Sequence, residues 1–135
     1  MVDFRGIALT ETRAKQEKFA RVTDMDVNIT FENAKLQGKE MIIDFRYTVI
    51  YNPGIGSLVF KGSTALTDSP SKLSEYLKQW QKSKMFPEEV TLPLMNLINL
   101  TSSVNGVFVC RAINLPPPLV PPKLNLAQPK TKTKR

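Results

Sequence analysis

The side chains that most often perform catalysis are few and scattered in this sequence. Its 135 residues include no histidine and a single cysteine, Cys110, which excludes a histidine-activated nucleophile and a zinc site of Cys and His ligands. Gly54-Ile55-Gly56 lacks the GxGxxG spacing of a phosphate-cradling loop. Adjacent acids such as Glu88 and Glu89 are typical of a helix N-terminus. We therefore expect a protein that is not an enzyme and that holds no metal or cofactor.

The most informative segment is rich in proline and follows a long apolar stretch. Five prolines lie within residues 116–122, where they stop a helix and impose an extended, polyproline-like path without backbone donors. Such a stiff segment is either laid onto the domain as a fixed arm or presented to a partner. Residues 118–123 also match the PxxPxK pattern of ligands for SH3-type grooves, although packing on the domain explains the same prolines.

Positive charge is concentrated at the C-terminus. Residues 123–135 carry five positive charges and no acid, whereas the other 122 residues carry a net charge of +2. Basic tails of this kind contact phosphates through electrostatics that do not depend on sequence, so Lys130, Lys132, Lys134 and Arg135 could bind RNA or a ribosome. A solubilising, disordered end has the same composition. We divide the chain into a domain over residues 1–123 and a flexible tail over residues 124–135.

Length and hydropathy limit the number of domains and the possible location of the protein. A chain of 135 residues corresponds to about one domain. The sequence has no run of 18 apolar residues, and its N-terminus lacks a basic region followed by an apolar region. We therefore expect no membrane-spanning helix and no secretion signal, and we predict a cytoplasmic protein.

The elements that position these residues follow from periodicity. Alternating apolar and polar residues predict strands over residues 25–31, 41–51 and 57–66, and one more strand within residues 2–22. Ser69-Pro70 predicts the start of a helix whose residues Leu73, Tyr76, Leu77 and Trp80 form an apolar stripe. A second helix is predicted to begin at residue 87 and to extend to residue 112. Strands followed by helices indicate an α+β fold, a four-stranded antiparallel sheet with a short and a long helix packed on it.

Apolar residues cover most of the circumference of the second helix. A small sheet cannot bury such a helix on all sides, so we expect the remaining face to contact another subunit. The residues predicted for this oligomer interface are Leu97, Leu100, Val104 and Val107.

This order of elements resembles the export chaperone SecB and, more closely, the small SecB-like proteins of archaea. The resemblance covers residues 19–123, and its most specific part is Ile113-Asn114-Leu115-Pro116-Pro117-Pro118 after a long helix. It implies an ATP-independent holdase that binds unfolded polypeptides, in protein export or toxin control, as a homodimer or tetramer. SecB is acidic, whereas this chain is basic, so the translocase partner of SecB is not carried over.

The resemblance also implies a hydrophobic client groove between the sheet and the helix-flanking segments. Its predicted residues come from the long strand and from the proline segment: Phe45, Tyr47, Tyr51, Leu115, Leu119 and Val120. Ordinary core packing is the alternative for each of them. A second alternative is a stacking surface for nucleic acid around Phe45-Arg46-Tyr47, although Arg46 belongs to the opposite face of the strand.

Overall fold

The computed structural model describes residues 2–118 and the backbone of residues 125–126. The elements, in chain order, are β1 (Asp3–Gln16), β2 (Asp24–Gln37), β3 (Glu40–Asn52), β4 (Gly56–Thr67), α1 (Pro70–Ser83), α2 (Glu88–Ala112) and β5 (Asn125–Leu126). Long strands thus precede two helices, and a two-residue strand follows them. The structure confirms the predicted α+β fold with a four-stranded antiparallel sheet followed by two helices.

The strands form one sheet in the order β1-β4-β3-β2-β5. β2, β3 and β4 are a meander of antiparallel neighbours, and β1 pairs with β4 at the other side of the sheet. β5 is the only parallel strand of the described sheet and pairs with β2. The sequence predicted the meander but gave no place for β1, and it did not predict β5 at all.

Every second residue along the central strands is buried, so one face of the sheet forms the core. Along β3 every second residue from Met41 to Tyr51 is buried, and β4 repeats this pattern from Gly56 to Leu66. Aromatic side chains occupy much of this face, and Tyr47 stacks on Phe60 with their ring centroids 6.1 Å apart. The opposite face of the sheet carries mostly polar residues, with Ile42, Ile50 and Val59 among them, and the helices pack on the core face.

Helix α1 is a short amphipathic helix with a defined start. The Ser69 hydroxyl accepts a hydrogen bond from the Lys72 amide, and Pro70 fills the first turn, where its missing N–H leaves nothing unsatisfied. Leu73, Tyr76 and Trp80 are buried, as the predicted stripe requires.

An aromatic cluster holds the junction between the two helices on β2. The Trp80 ring stacks on Phe86 with centroids 5.2 Å apart, and Phe86 meets Phe31 edge-on at 5.5 Å. The hydroxyl of Tyr76 contacts the carboxylates of Asp68 and Glu89 at 2.9 and 2.7 Å, which ties the two helix starts together.

Helix α2 has two faces set by a four-residue spacing. The face against the sheet, here called the inner stripe, consists of Val90, Leu94, Ile98, Ser102, Gly106 and Cys110. Its C-terminal half contains only small residues, which allow close packing. Pro93 lies inside the helix near its start, and the helix continues past it to Ala112.

Candidate functional site

The proline segment reverses direction after α2 and runs back along it. Asn114 adopts a left-handed backbone conformation with φ of 59°, which short polar side chains tolerate better than most. The Leu115 amide then donates a hydrogen bond to the Cys110 carbonyl over 3.0 Å. Residues 115–118, which we call the proline strap, therefore lie against the domain as a fixed arm, one of the two arrangements considered from the sequence.

Two side-chain hydroxyls hold the strap by its carbonyls. The Tyr51 hydroxyl donates to the Pro116 carbonyl at 2.7 Å, and the Ser103 hydroxyl donates to the Pro118 carbonyl at 2.9 Å. Because proline has no N–H, the strap brings acceptors but few donors into the interface. A short extended segment can thus be buried there without leaving unsatisfied donors.

A glycine of α2 makes room for the strap. A Cβ atom on Gly106 would lie 2.9 Å from Cδ of Pro118. A Cβ atom on Gly56 would first meet the backbone carbonyl of Lys15 in β1, and it would also lie 3.3 Å from Cδ1 of Leu115. Leu115 is buried in the core with 4% of its surface exposed. The strap therefore packs between α2 and the start of β4, and a larger residue at position 106 would displace it.

The predicted groove residues of β3 lie on the core face of the sheet. Phe45, Tyr47 and Tyr51 are all at most 1% exposed. In this conformation a client cannot contact them, which corresponds to the core-packing alternative. Leu115 joins Tyr51 at the strap, whereas Leu119 and Val120 lie outside the described residues. The client groove therefore stays a prediction.

The seam under the strap is apolar but carries buried polar groups. Burial raises the pKa of Tyr47 to about 12, against a smaller lowering by the nearby Ser103 hydroxyl. Burial also raises the pKa of Tyr51 and that of the Cys110 thiol, whose sulfur lies 3.3 Å from the Tyr51 oxygen. All three groups are therefore neutral at physiological pH, so the seam suits uncharged ligand groups.

Two buried hydroxyls at the interface of α2 and the sheet lack a hydrogen bond of ordinary geometry. The Ser102 hydroxyl has no partner within the described part of the chain, and the Tyr47 hydroxyl has only the nearby Ser103 hydroxyl, whose influence on the pKa of Tyr47 is smaller than that of burial. A buried hydroxyl without a partner costs about 1–3 kcal/mol, so each such group calls for an explanation. We name Tyr47, Tyr51, Ser102, Ser103 and Cys110 together the strap seam.

The outward face of α2 is apolar. Four large side chains at multiples of the same four-residue spacing form what we call the outer stripe: Leu92, Leu100, Val104 and Phe108. Leu100 and Phe108 are 63% and 72% exposed. Of the residues predicted for an oligomer interface, Leu100 and Val104 belong to this stripe, and Leu97 and Val107 flank it half-buried. The structure brings all four together on the outward side of one helix.

Helix α2 is long and apolar enough to span a membrane, which the sequence had not led us to expect. One such helix is weak evidence for a membrane span, because the core helix of a soluble protein passes the same test. Six residues of α2, the inner stripe, are buried.

The remaining predictions from the sequence concern the basic tail and metal binding. Lys130, Lys132, Lys134 and Arg135 lie outside the described residues, so their contact with RNA or a ribosome stays a prediction. Within residues 2–118 the structure contains no group of three or more cysteine or acidic side chains that could hold a metal ion. The sequence did not point to Ser102, Ser103 and Gly106. For Ser102 and Gly106 the available signal was their four-residue spacing with Ile98 and Cys110, whereas Ser103 lies outside this spacing.

Comparison with known proteins gives a likeness of fold. The structure is similar to the SecB-like chaperone Rv1957 of Mycobacterium tuberculosis, solved in complex with a ChAD peptide from the HigA1 antitoxin Rv1956. The TM-score is 0.54 and the sequences are 12% identical, over 86% of this chain and 83% of that chain. No family model and no curated protein matches the sequence.

Proposed function

We propose that the protein is an ATP-independent chaperone that holds unfolded polypeptides at the strap seam. A client segment takes the place of the proline strap and contacts the aromatic side chains of β3. Polypeptide carbonyls are the groups recognised, so binding does not depend on a particular client sequence.

The observation that carries this proposal is the way in which the strap is bound. The seam already holds an extended segment through hydroxyl-to-carbonyl hydrogen bonds from Tyr51 and Ser103 and through the buried Leu115 side chain. These contacts use the backbone and one apolar side chain, which every unfolded client can supply. The strap is therefore a segment of the chain itself that is bound in the way proposed for an unfolded client.

The unpaired hydroxyls support the same assignment. Tyr47 and Ser102 would gain partners from a client that carries backbone groups where the strap offers none. Polar groups kept unsatisfied in a folded domain are often functional, because they cost stability. The likeness of fold to a chaperone solved with a bound peptide agrees with a peptide-binding role.

We further propose that the outer stripe forms a homo-oligomer. Its four large side chains are spaced along one side of α2 and are already partly buried, so completing the burial of each would contribute about 1–2 kcal/mol. Self-association would place two or more strap seams in one particle, so that a long client could bind several at once.

The experiment measures light scattering from a chemically denatured client diluted into stoichiometric protein without nucleotide. Wild type should suppress aggregation. Tyr47→Phe, which removes an unpaired buried hydroxyl, should weaken suppression while leaving the domain at least as stable. Replacing Leu119 and Val120 with Ser should also weaken it.

A matched control is Thr48→Val, the next residue of β3, which lies on the opposite face of the sheet. It should leave suppression unchanged. A wild-type protein that fails with several clients, yet co-purifies with RNA or ribosomes, would disprove the holdase proposal. The basic tail would then be the better guide to function.

A further inference from the structure

A second extended segment of the chain is bound elsewhere, at the outer edge of β2. The backbone of Asn125 pairs with Asn28 and that of Leu126 with Ile29, in parallel orientation. β2 is 14 residues long, so this short strand covers only a small part of its edge. Along the rest of that edge, none of the described residues forms a partner strand.

An uncovered strand edge presents a row of backbone donors and acceptors that a further strand can pair with. Strand addition of this kind takes its affinity from the backbone and its selectivity from the side chains that flank the edge. β5 shows that this edge of β2 accepts an added strand, and it fixes the orientation as parallel.

The charge along β2 defines the kind of strand that fits. The side facing away from the helices carries Asp24, Asp26 and Glu32, together with one basic residue of the strand, Lys35. Glu32 forms an ion pair with Arg46 of β3, so Asp24 and Asp26 carry the acidic character of this side. The apolar side carries Val27, Ile29 and Phe31. A complementary strand therefore alternates apolar residues with polar or basic ones.

The sequence around β5 has this alternation. Residues 123–126 read Lys-Leu-Asn-Leu, so the two leucines alternate with the polar residues Lys123 and Asn125. The tail that follows is basic. Chain segment and edge are thus matched in both pattern and charge.

We propose that the edge of β2 is a strand-addition site for extended, basic segments of unfolded polypeptide, and that β5 is its resident competitor. An incoming segment must displace β5, so the tail sets the threshold for binding at this edge. The identity of the partner rests on the proposed chaperone function, whereas the ability of the edge to accept a strand does not.

The test uses the full-length protein and a fluorescent peptide of residues 121–129. In one variant, Asn125→Pro and Leu126→Pro together remove the donors that β5 offers to β2. In wild type, β5 is tethered to the domain and competes with the peptide at an effective concentration of about a millimolar. We therefore expect the peptide to bind the double variant at least about ten-fold more tightly than wild type. Equal affinities would overturn the proposal.

A pair of modified peptides supplies the matched control. Successive residues of a strand direct their backbone groups to opposite sides, so only one of Asn125 and Leu126 can donate to β2. N-methylation at one of these positions should abolish binding, and N-methylation at the other should not. If both modified peptides bind as well as the unmodified one, no strand is added.

Hydrogen exchange of the backbone amides tests the pairing of β5 in wild type, without any substitution. The outward-facing amide among residues 28–30 should exchange more slowly than the outward-facing amides of residues 34–36. Equal exchange would contradict pairing by β5.

The chaperone and edge proposals fail in different ways. Peptide binding that follows these rules, without any suppression of aggregation, retains the edge and removes the chaperone function. If the protein suppresses aggregation but the peptide binds wild type and the double variant equally, the chaperone function is retained and the edge proposal is removed.

Discussion

The two helices pack on the same face of one sheet, yet their outward faces differ. The exposed side of α1 presents mainly charged and polar side chains, among them Lys72, Glu75 and Lys78. The exposed side of α2 presents the apolar outer stripe. Both helices use an apolar stripe to contact the sheet, so packing against the sheet does not explain the difference.

The difference indicates what each helix faces. A helix with one apolar side needs a single surface to cover it, which α1 has. A helix with two apolar sides needs a second surface, and contiguous exposed apolar area on a protein marks an interaction site. Helix α1 is thus adapted to solvent, and the proposal that α2 lies between the sheet and a second subunit accounts for its second apolar side.

The largest expected effect separates the two faces of α2. Leu94→Ala on the inner stripe should lower the free energy of unfolding by about 2–5 kcal/mol, because it leaves a cavity in the core. Leu92→Ala, two positions earlier on the outer stripe, is the matched control, since Leu92 is 54% exposed. At a dilution where the protein is monomeric, it should change stability by about 0.5 kcal/mol or less. Urea unfolding measures both, and equal losses would contradict the assignment of the faces.

The sequence predicts the elements better than their arrangement. Alternation in β3 and β4 and the Ser69-Pro70 start of α1 are local signals, and the structure agrees with them. The polar middle of β1 gave no such signal, because this strand pairs with the distant β4 and its register contains two irregularities.

The strap seam shows the same limit. Asn114 and the prolines are visible in the sequence, but the partners of the strap are Tyr51 and Ser103, far apart along the chain. Their convergence depends on how α2 crosses the sheet, which periodicity does not encode. Alternation placed Phe45, Tyr47 and Tyr51 on one face, but it could not tell that the strap and α2 bury them.

The second prediction compares the outward faces of the two helices. Leu100→Asp should convert the oligomer to monomers or aggregates, because a charge in a closely packed apolar interface loses its hydration. Gln79→Asp, on the exposed side of α1, should leave the assembly unchanged. Size-exclusion chromatography with light scattering gives the mass of each. A monomeric wild type, or an oligomer that tolerates Leu100→Asp, would show that α2 is not the interface.

Alkaline pH should test the tyrosines beneath the two helices. Burial raises the pKa of Tyr47 to about 12 beneath α2. It also raises the pKa of Tyr76 beneath α1, where the Glu89 and Asp68 carboxylates add to the shift. Because the folded state holds these protons more tightly than the unfolded state, stability should be constant below about pH 10 and fall as the pH rises through the folded values.

The size of the alkaline effect can be estimated for Tyr47. A pKa raised by about two units corresponds to a loss of about 2–3 kcal/mol once the pH passes 12. Urea unfolding between about pH 9 and pH 12 measures it. Tyr47→Phe and Tyr76→Phe should each flatten the profile relative to wild type. A profile unchanged by both variants would mean that neither phenol is buried.

A smaller effect is expected from loosening the strap. Tyr51→Phe leaves the Pro116 carbonyl without its donor and should cost about 1–2 kcal/mol. If a client uses the Tyr51 hydroxyl in place of the strap, the variant weakens strap and client binding alike, so suppression of client aggregation should change little. Tyr47→Phe should instead weaken suppression without a loss of stability. A Tyr51→Phe protein that suppresses aggregation much better than wild type would show that this hydroxyl binds the strap and not the client.

The smallest effect on stability should come from the basic end of the tail. Replacing Lys130, Lys132, Lys134 and Arg135 with Ser leaves β5 and its pairing partners intact, so the melting temperature should move by about a degree or less. If the tail binds RNA, the same variant should lower RNA affinity and flatten its dependence on salt, because fewer counterions are released. If the tail instead serves the acidic edge of β2, RNA affinity should be low in both proteins. The variant should then bind the residue 121–129 peptide more tightly, because its own tail competes less well. A large fall in melting temperature would contradict a tail that is separable from the domain.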